Sequence, residues 1–148
     1  MTPLATLVRA PIDAVALVRA VSNPGNGAVI LFLGAVRQVN DGRAVTGIDY
    51  AAYEGMALRE LQAIADEGAE RFETADVVVE HRLGELQVEE ISVGIAVGHP
   101  HRDAAYGLSR WVIEELKRRV PIWKREHYAD GTREWVDPSG HPSVGSAP

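Results

Sequence analysis

From Met56 onward the apolar positions recur at helical spacing. Ala57, Leu61, Ile64, Ala65, Gly68 and Phe72 fall on one stripe, with Glu60, Asp66, Glu67 and Glu70 largely off it, so the pattern predicts an amphipathic helix. A second helix is predicted from Asp103, a natural N-cap, through Ala105, Leu108, Val112, Ile113 and Leu116 to Lys117. A shorter one follows Asp13 and turns Ile12, Val15, Val18 and Val21 inward. Elsewhere the period is two. Ile91, Val93, Ile95 and Val97 alternate with Ser92, Gly94, Ala96 and Gly98, which sets large residues on one face of a strand and small ones on the other, where another layer can approach closely.

Ala28 to Leu33 is apolar without interruption and of strand length, the signature of a central strand buried on both faces. It delivers a polar loop with Arg37, Asn40, Asp41, Gly42 and Arg43. Leu4 to Arg9 and Val45 to Tyr53 read as further strands. The stretch from Val77 to Val97 reads as an antiparallel hairpin with a turn at Glu89-Glu90. Asp130-Gly131 reads as a turn before a short strand, Glu134-Trp135-Val136. Strands and helices alternate without a strict βαβ rhythm. The expected fold is therefore α+β, a mixed or antiparallel sheet with packed helices.

With 148 residues and 46% hydrophobic content, the chain suits one domain, placed at residues 1–137. Residues 138–148 are rich in Pro, Gly and Ser and are expected to be a disordered tail. The absence of cysteine excludes disulfides, thiolate metal sites and cysteine nucleophiles on this chain. A net charge of -6 argues against a general nucleic-acid binder. No apolar run is long enough to span a bilayer, and the N-terminus lacks a basic leader, so a cytoplasmic protein without a membrane role is expected.

Against that acidic background, Leu116 to Glu126 gathers five of the fifteen Lys and Arg residues. Pro121 stops the incoming helix, so Lys117 sits in its last turn and Lys124 on the extended segment beyond. Two readings stand side by side: the lysines converge on one anionic group, or they are solvated cations favoured by the helix dipole. His101-Arg102 precedes a helix N-terminus, a place suited to an anion, though a histidine there also serves to satisfy a loop. His99 and His101 form an H-x-H pair, but no third ligand stands at a telling spacing and no metal is assigned. His81-Arg82 is read as structural. Arg37 is either an anion clamp or a surface residue. No G-x-G-x-x-G, Walker loop or G-x-S-x-G elbow is present, and no cofactor is expected. A nucleophile or proton-transfer group on this chain would then be a lysine. Lys117 is placed for that role because neighbouring cations lower its pKa.

From about Gly27 to Trp135 the sequence resembles the large, catalytic subunit of molybdopterin synthase. The motifs are Gly27-Ala28-Val29 with Phe32-Leu33-Gly34-Ala35-Val36-Arg37 and Asn40, Tyr50 to Tyr53 with Met56-Ala57, His81-Arg82-Leu83-Gly84, His101-Arg102 with Ala105, and Leu116-Lys117 through Val120-Pro121-Ile122-Trp123-Lys124 to Glu126. The resemblance implies an α/β-hammerhead-like fold. It also implies a sulfurtransferase that forms the molybdopterin dithiolene from cyclic pyranopterin monophosphate. The sulfur would come from the C-terminal Gly-Gly thiocarboxylate of a small ubiquitin-like carrier subunit. Lys117 and Lys124 match the family's active-site lysines, Arg37, His101 and Arg102 its substrate-binding positions, and Phe32 a pocket-lining position that is equally a core residue. Two positions depart from the family: Ala51 stands where Glu is usual, and Glu89 where Gly is usual.

A helix from Asp103 to Lys117 separates His101 from Lys117 by roughly 24 Å, at 1.5 Å per residue. One small substrate cannot touch both within one chain. The expectation is a site shared across a two-fold homodimer, in keeping with the dimeric core that the resemblance implies. The competing reading is a non-catalytic adaptor whose basic corner docks an acidic partner tail.

Overall fold

The computed structural model describes residues 3–136, so the expected tail at 138–148 lies outside the described residues. In chain order the elements are β1 (Leu4–Val8), α1 (Ala14–Ala20), β2 (Ala28–Ala35), β3 (Val39–Asn40), β4 (Arg43–Ala52), α2 (Glu54–Phe72), β5 (Val77–Arg82), β6 (Gly84–Gln87), β7 (Ile91–His99), α3 (Arg102–Arg119), β8 (Ile122–Tyr128) and β9 (Arg133–Val136). They form two sheets. One has the order β1-β5-β7-β2, with β1 parallel to β5 and the other pairs antiparallel. The other runs β3-β4-β8-β9, with β6 also paired to β4. The architecture is α+β with a mixed sheet.

The main core lies between the first sheet and α2 and α3, where Leu61, Ile64, Val79, Ile95, Leu108 and Val112 are fully buried. The alternation in β7 works as its sequence implies. Val93, Ile95 and Val97 enter this core, while the small face lies under α1, close enough that a Cβ at Gly94 would stand 2.5 Å from Leu17 Cδ1. A third cluster, including Val36, Ile48 and Leu86, serves the second sheet.

Three expectations change. Ala28–Ala35 is an edge strand, and β7 takes the central place. Phe32 and Ile30 pack toward the main core and Leu31 toward the cluster under α1, while Val29 and Leu33 stay exposed. In α1, Asp13 caps as expected, accepting from Ala16 N–H at 3.1 Å, but Leu17 is the buried residue and Val15 is 58% exposed. Ile12 and Val21 are buried as the spacing predicts and Val18 is half-buried, so only Val15 departs. His101, not Asp103, is the N-cap of α3, with no side-chain cap bond, and Asp103 sits in the first turn, where its charge complements the helix dipole.

Candidate active site

Lys117 and Lys124 reach one place by different routes. Lys117 lies in the last turn of α3, which ends at Arg119 and is capped by Val120 in extended geometry ahead of Pro121. The chain then enters β8, where Lys124 pairs with Tyr50 of β4 and shares a strand face with Glu126. Arg37 arrives from the end of β2. Its loop is fixed by Val36, whose N–H donates to Glu90 O at 3.0 Å and whose carbonyl accepts from Glu89 N–H at 2.9 Å.

These three cations and Phe32 line a cavity of about 150 Å³, together with Tyr50 and Glu126. The rest of the basic cluster behaves differently. Arg118 pairs with Glu115, Arg119 with Glu60 and Glu67, and Arg125 with Asp49, all at 2.7 Å or less. Among the described residues, Arg37, Lys117 and Lys124 have no such carboxylate partner. Glu126, 2% exposed, is committed to Asn40, whose Nδ2 donates to both its oxygens at 2.8 and 3.0 Å.

Lys117 keeps solvent contact while the concave wall surrounds it. Its ammonium pKa is lowered from 10.5, first by loss of surrounding water, then by the charges of Lys124 and Arg37. Tyr50 is shifted the other way, upward, chiefly by burial. The pocket therefore makes the Lys117 ammonium easier to deprotonate than an ordinary lysine and keeps the Tyr50 phenol un-ionised, a setting for proton transfer near an anionic substrate.

His101 and Arg102 lie elsewhere. With Gly27, Pro100 and Asp103 they form a separate open pocket at the start of α3. His99 supports this corner. Its Nδ1 accepts from His101 N–H at 2.9 Å, so the other nitrogen, Nε2, donates to the Phe72 carbonyl at 2.9 Å. Both ring nitrogens of His99 are thus engaged. Among the described residues no cluster of three or more His, Asp or Glu is arranged to hold a metal.

The family model described as MoaE protein matches residues 7–119. The chain belongs to the MoaE family. Among MoaE relatives, the molybdopterin synthase catalytic subunit of Pyrococcus abyssi is 38% identical over 144 residues, covering 94% of this chain and 95% of its own. That of Emericella nidulans is 45% identical over 115 residues, 78% of this chain, which spans only 59% of that relative's length. A molybdopterin synthase crystal structure from Staphylococcus aureus superposes with a TM-score of 0.82 at 37% identity, covering 87% of this chain and 93% of that one.

Within this MoaE chain the structure brings together Arg37, Lys117, Lys124 and Phe32 and sets His101 and Arg102 apart. Tyr50, Asn40 and Glu126 were not singled out as site residues from the sequence. For Glu126 the signal was available, because strand periodicity through Lys124 places it on the same face.

Proposed function

We propose that this chain is the catalytic subunit of a molybdopterin synthase. It transfers sulfur from the C-terminal Gly-Gly thiocarboxylate of a small ubiquitin-like carrier to cyclic pyranopterin monophosphate, forming the dithiolene of molybdopterin. The observation that carries this reading is a selective lack of partners among the described residues: two lysines and Arg37 line one pocket without carboxylate partners, while the neighbouring arginines are ion-paired. A solvated cationic surface has no reason to sort its charges in that way.

Each thiocarboxylate supplies one sulfur, so two carriers act in turn. The sulfur forms a bond to the pterin side chain, and hydrolysis of the resulting thioester returns the carrier as a carboxylate. Lys117 moves the proton during sulfur addition and expulsion of the phosphate oxygen, and Lys124 stabilises the negative charge that develops. Arg37 holds the phosphate, Phe32 lines the pterin pocket, and His101 and Arg102 of a second copy complete the anion site. The absence of cysteine supports a division of labour in which the sulfur is borne by the carrier.

Single-turnover conversion with pre-formed thiocarboxylated carrier tests the proposal. Product should form with the intact chain and fall by about 100-fold or more in Lys117→Ala. A normal rate in that variant sinks the assignment. Carrier binding without any product would favour the adaptor reading.

A further inference from the structure

Cations are not the whole lining of the lysine pocket. Tyr50 and Ser92 bring two hydroxyl-bearing side chains to the same cavity, one from each sheet. Tyr50 belongs to β4, where it pairs with Lys124 of β8, so the two side chains share one face of the second sheet. Its ring is held on several sides. It packs against the main core and against the cluster of the second sheet, with His81 edge-on at 5.2 Å. A ring so confined keeps its hydroxyl in place before any ligand arrives.

Ser92 arrives through an irregularity of the first sheet. Strict alternation along β7 would keep it with Gly94 and Ala96 on the face under α1. The pairing slips instead: Gly34 stands opposite Val93 and Ala35 opposite Ile91, which leaves Ser92 as the extra residue of a β-bulge. Ser92 and Val93, neighbours in sequence, consequently both line the cavity. Gly34 admits this close approach, since a Cβ there would stand 2.7 Å from Val93 Cγ1. The Ser92 hydroxyl donates to the Gly34 carbonyl at 3.2 Å and lies within hydrogen-bonding reach of the Tyr50 hydroxyl. With the serine proton spent on Gly34, the phenol is the donor of that pair, and the lone pairs of its oxygen are left for the cavity.

We propose that the Tyr50 hydroxyl is a specificity-determining contact of this pocket: it accepts a hydrogen bond from a ring N–H or hydroxyl of the substrate while the cations hold the substrate's anionic group. The inference rests on the reading of the pocket as the substrate site and adds what kind of anion it selects. As cations, Lys117, Lys124 and Arg37 can only donate, and the carboxylate of Glu126 is held by Asn40. A bare anion satisfies the cations and leaves the phenol oxygen without a ligand partner. An anionic ester whose skeleton carries a hydrogen-bond donor close to the charge satisfies both. A pterin phosphate, with its ring N–H groups, is of that class, and a site built to accept such a donor rejects analogues that lack it.

Tyr50→Phe removes the oxygen and keeps the ring that meets His81. In titration calorimetry on the full-length chain, this variant should bind cyclic pyranopterin monophosphate about 10-fold more weakly than the parent, because a donor on the ligand then lacks its partner. Sulfate, which carries no donor, should displace the pterin phosphate from both chains with affinities equal within about 2-fold. Ser92→Ala frees the phenol proton to turn into the cavity, so it should also weaken the pterin phosphate and not sulfate; this split decides alone if Tyr50→Phe fails to fold. Equal loss for both ligands would assign Tyr50 to the arrangement of the cations and overturn the proposal, as would no loss for either. Sulfate that does not displace the pterin phosphate overturns it as well, since the cations then do not seat an anion by themselves. A parent chain that binds sulfate but not the pterin phosphate removes the proposed substrate and this contact with it. A parent that binds both, beside a variant that does not tell them apart, removes the contact alone.

Discussion

Tyr50 stands edge-on to His81, their ring centroids 5.2 Å apart and their planes inclined at 70°. The contact ties the cation pocket to the core, because Tyr50 lines the pocket and His81 is only 3% exposed behind it. His81 Nδ1–H donates to the Arg82 carbonyl at 2.9 Å, which fixes the neutral tautomer with its proton on that nitrogen. Burial pushes the His81 pKa down from 6.5 to about 4, and the charge of Lys117 adds to the effect.

An acid-sensitive fold follows. His81 takes up its proton more readily in the unfolded chain, so its contribution is complete above about pH 6.5 and is lost as pH falls toward 4. At 1.36 kcal/mol per pKa unit the loss amounts to about 3 kcal/mol. Urea unfolding between pH 7 and 4 should show this decline, and His81→Gln should flatten it. An equal pH dependence in the variant would assign the effect to other groups.

The helices were legible because 3.6-residue periodicity survives wherever one face is buried, as Leu61, Ile64 and Ala65 show in α2. The place of β2 was not, because a continuous apolar run reports only that both faces are covered. It does not report whether the strand's edges are paired. Lys117 and Lys124 could be brought near each other from Pro121 alone, since a helix stop and a strand start are local events. That their arginine neighbours are drawn into ion pairs depends on Glu60, Glu67 and Asp49, residues distant in sequence that no local pattern connects.

Lys117 should control the pH profile of turnover. If its neutral amine accepts the proton, the rate rises with pH through a pKa below the ordinary 10.5, since burial and the charges of Lys124 and Arg37 all disfavour the ammonium. Removing one of those charges must then move the rise to higher pH. Arg37→Gln is expected to do so in single-turnover rates, alongside weaker substrate binding. A shift to lower pH would exclude Lys117 as the titrating base.

Subunit complementation should reveal the shared site. Lys117→Ala and His101→Ala chains are each expected to be inactive alone. Mixed equally with full exchange, half the dimers are mixed and each regains one intact site, giving about one quarter of parental activity. Proven exchange without recovery would place His101 outside the lysine site.

Glu89 offers a gain in stability near the same site. It occupies the turn between β6 and β7 at φ 77°, a left-handed conformation that costs a residue with a Cβ about 1 kcal/mol. The conformation is held in place, because Glu89 N–H donates to Val36 O at 2.9 Å, immediately before Arg37. Its side chain is exposed. Glu89→Gly should relieve the strain without altering the bond, raising the melting temperature by roughly 2–4 °C for a domain of this size. Turnover should be unchanged, since the carboxylate lines neither candidate pocket. A lower melting temperature would mean that the glycine's added freedom in the unfolded chain outweighs the strain at this turn.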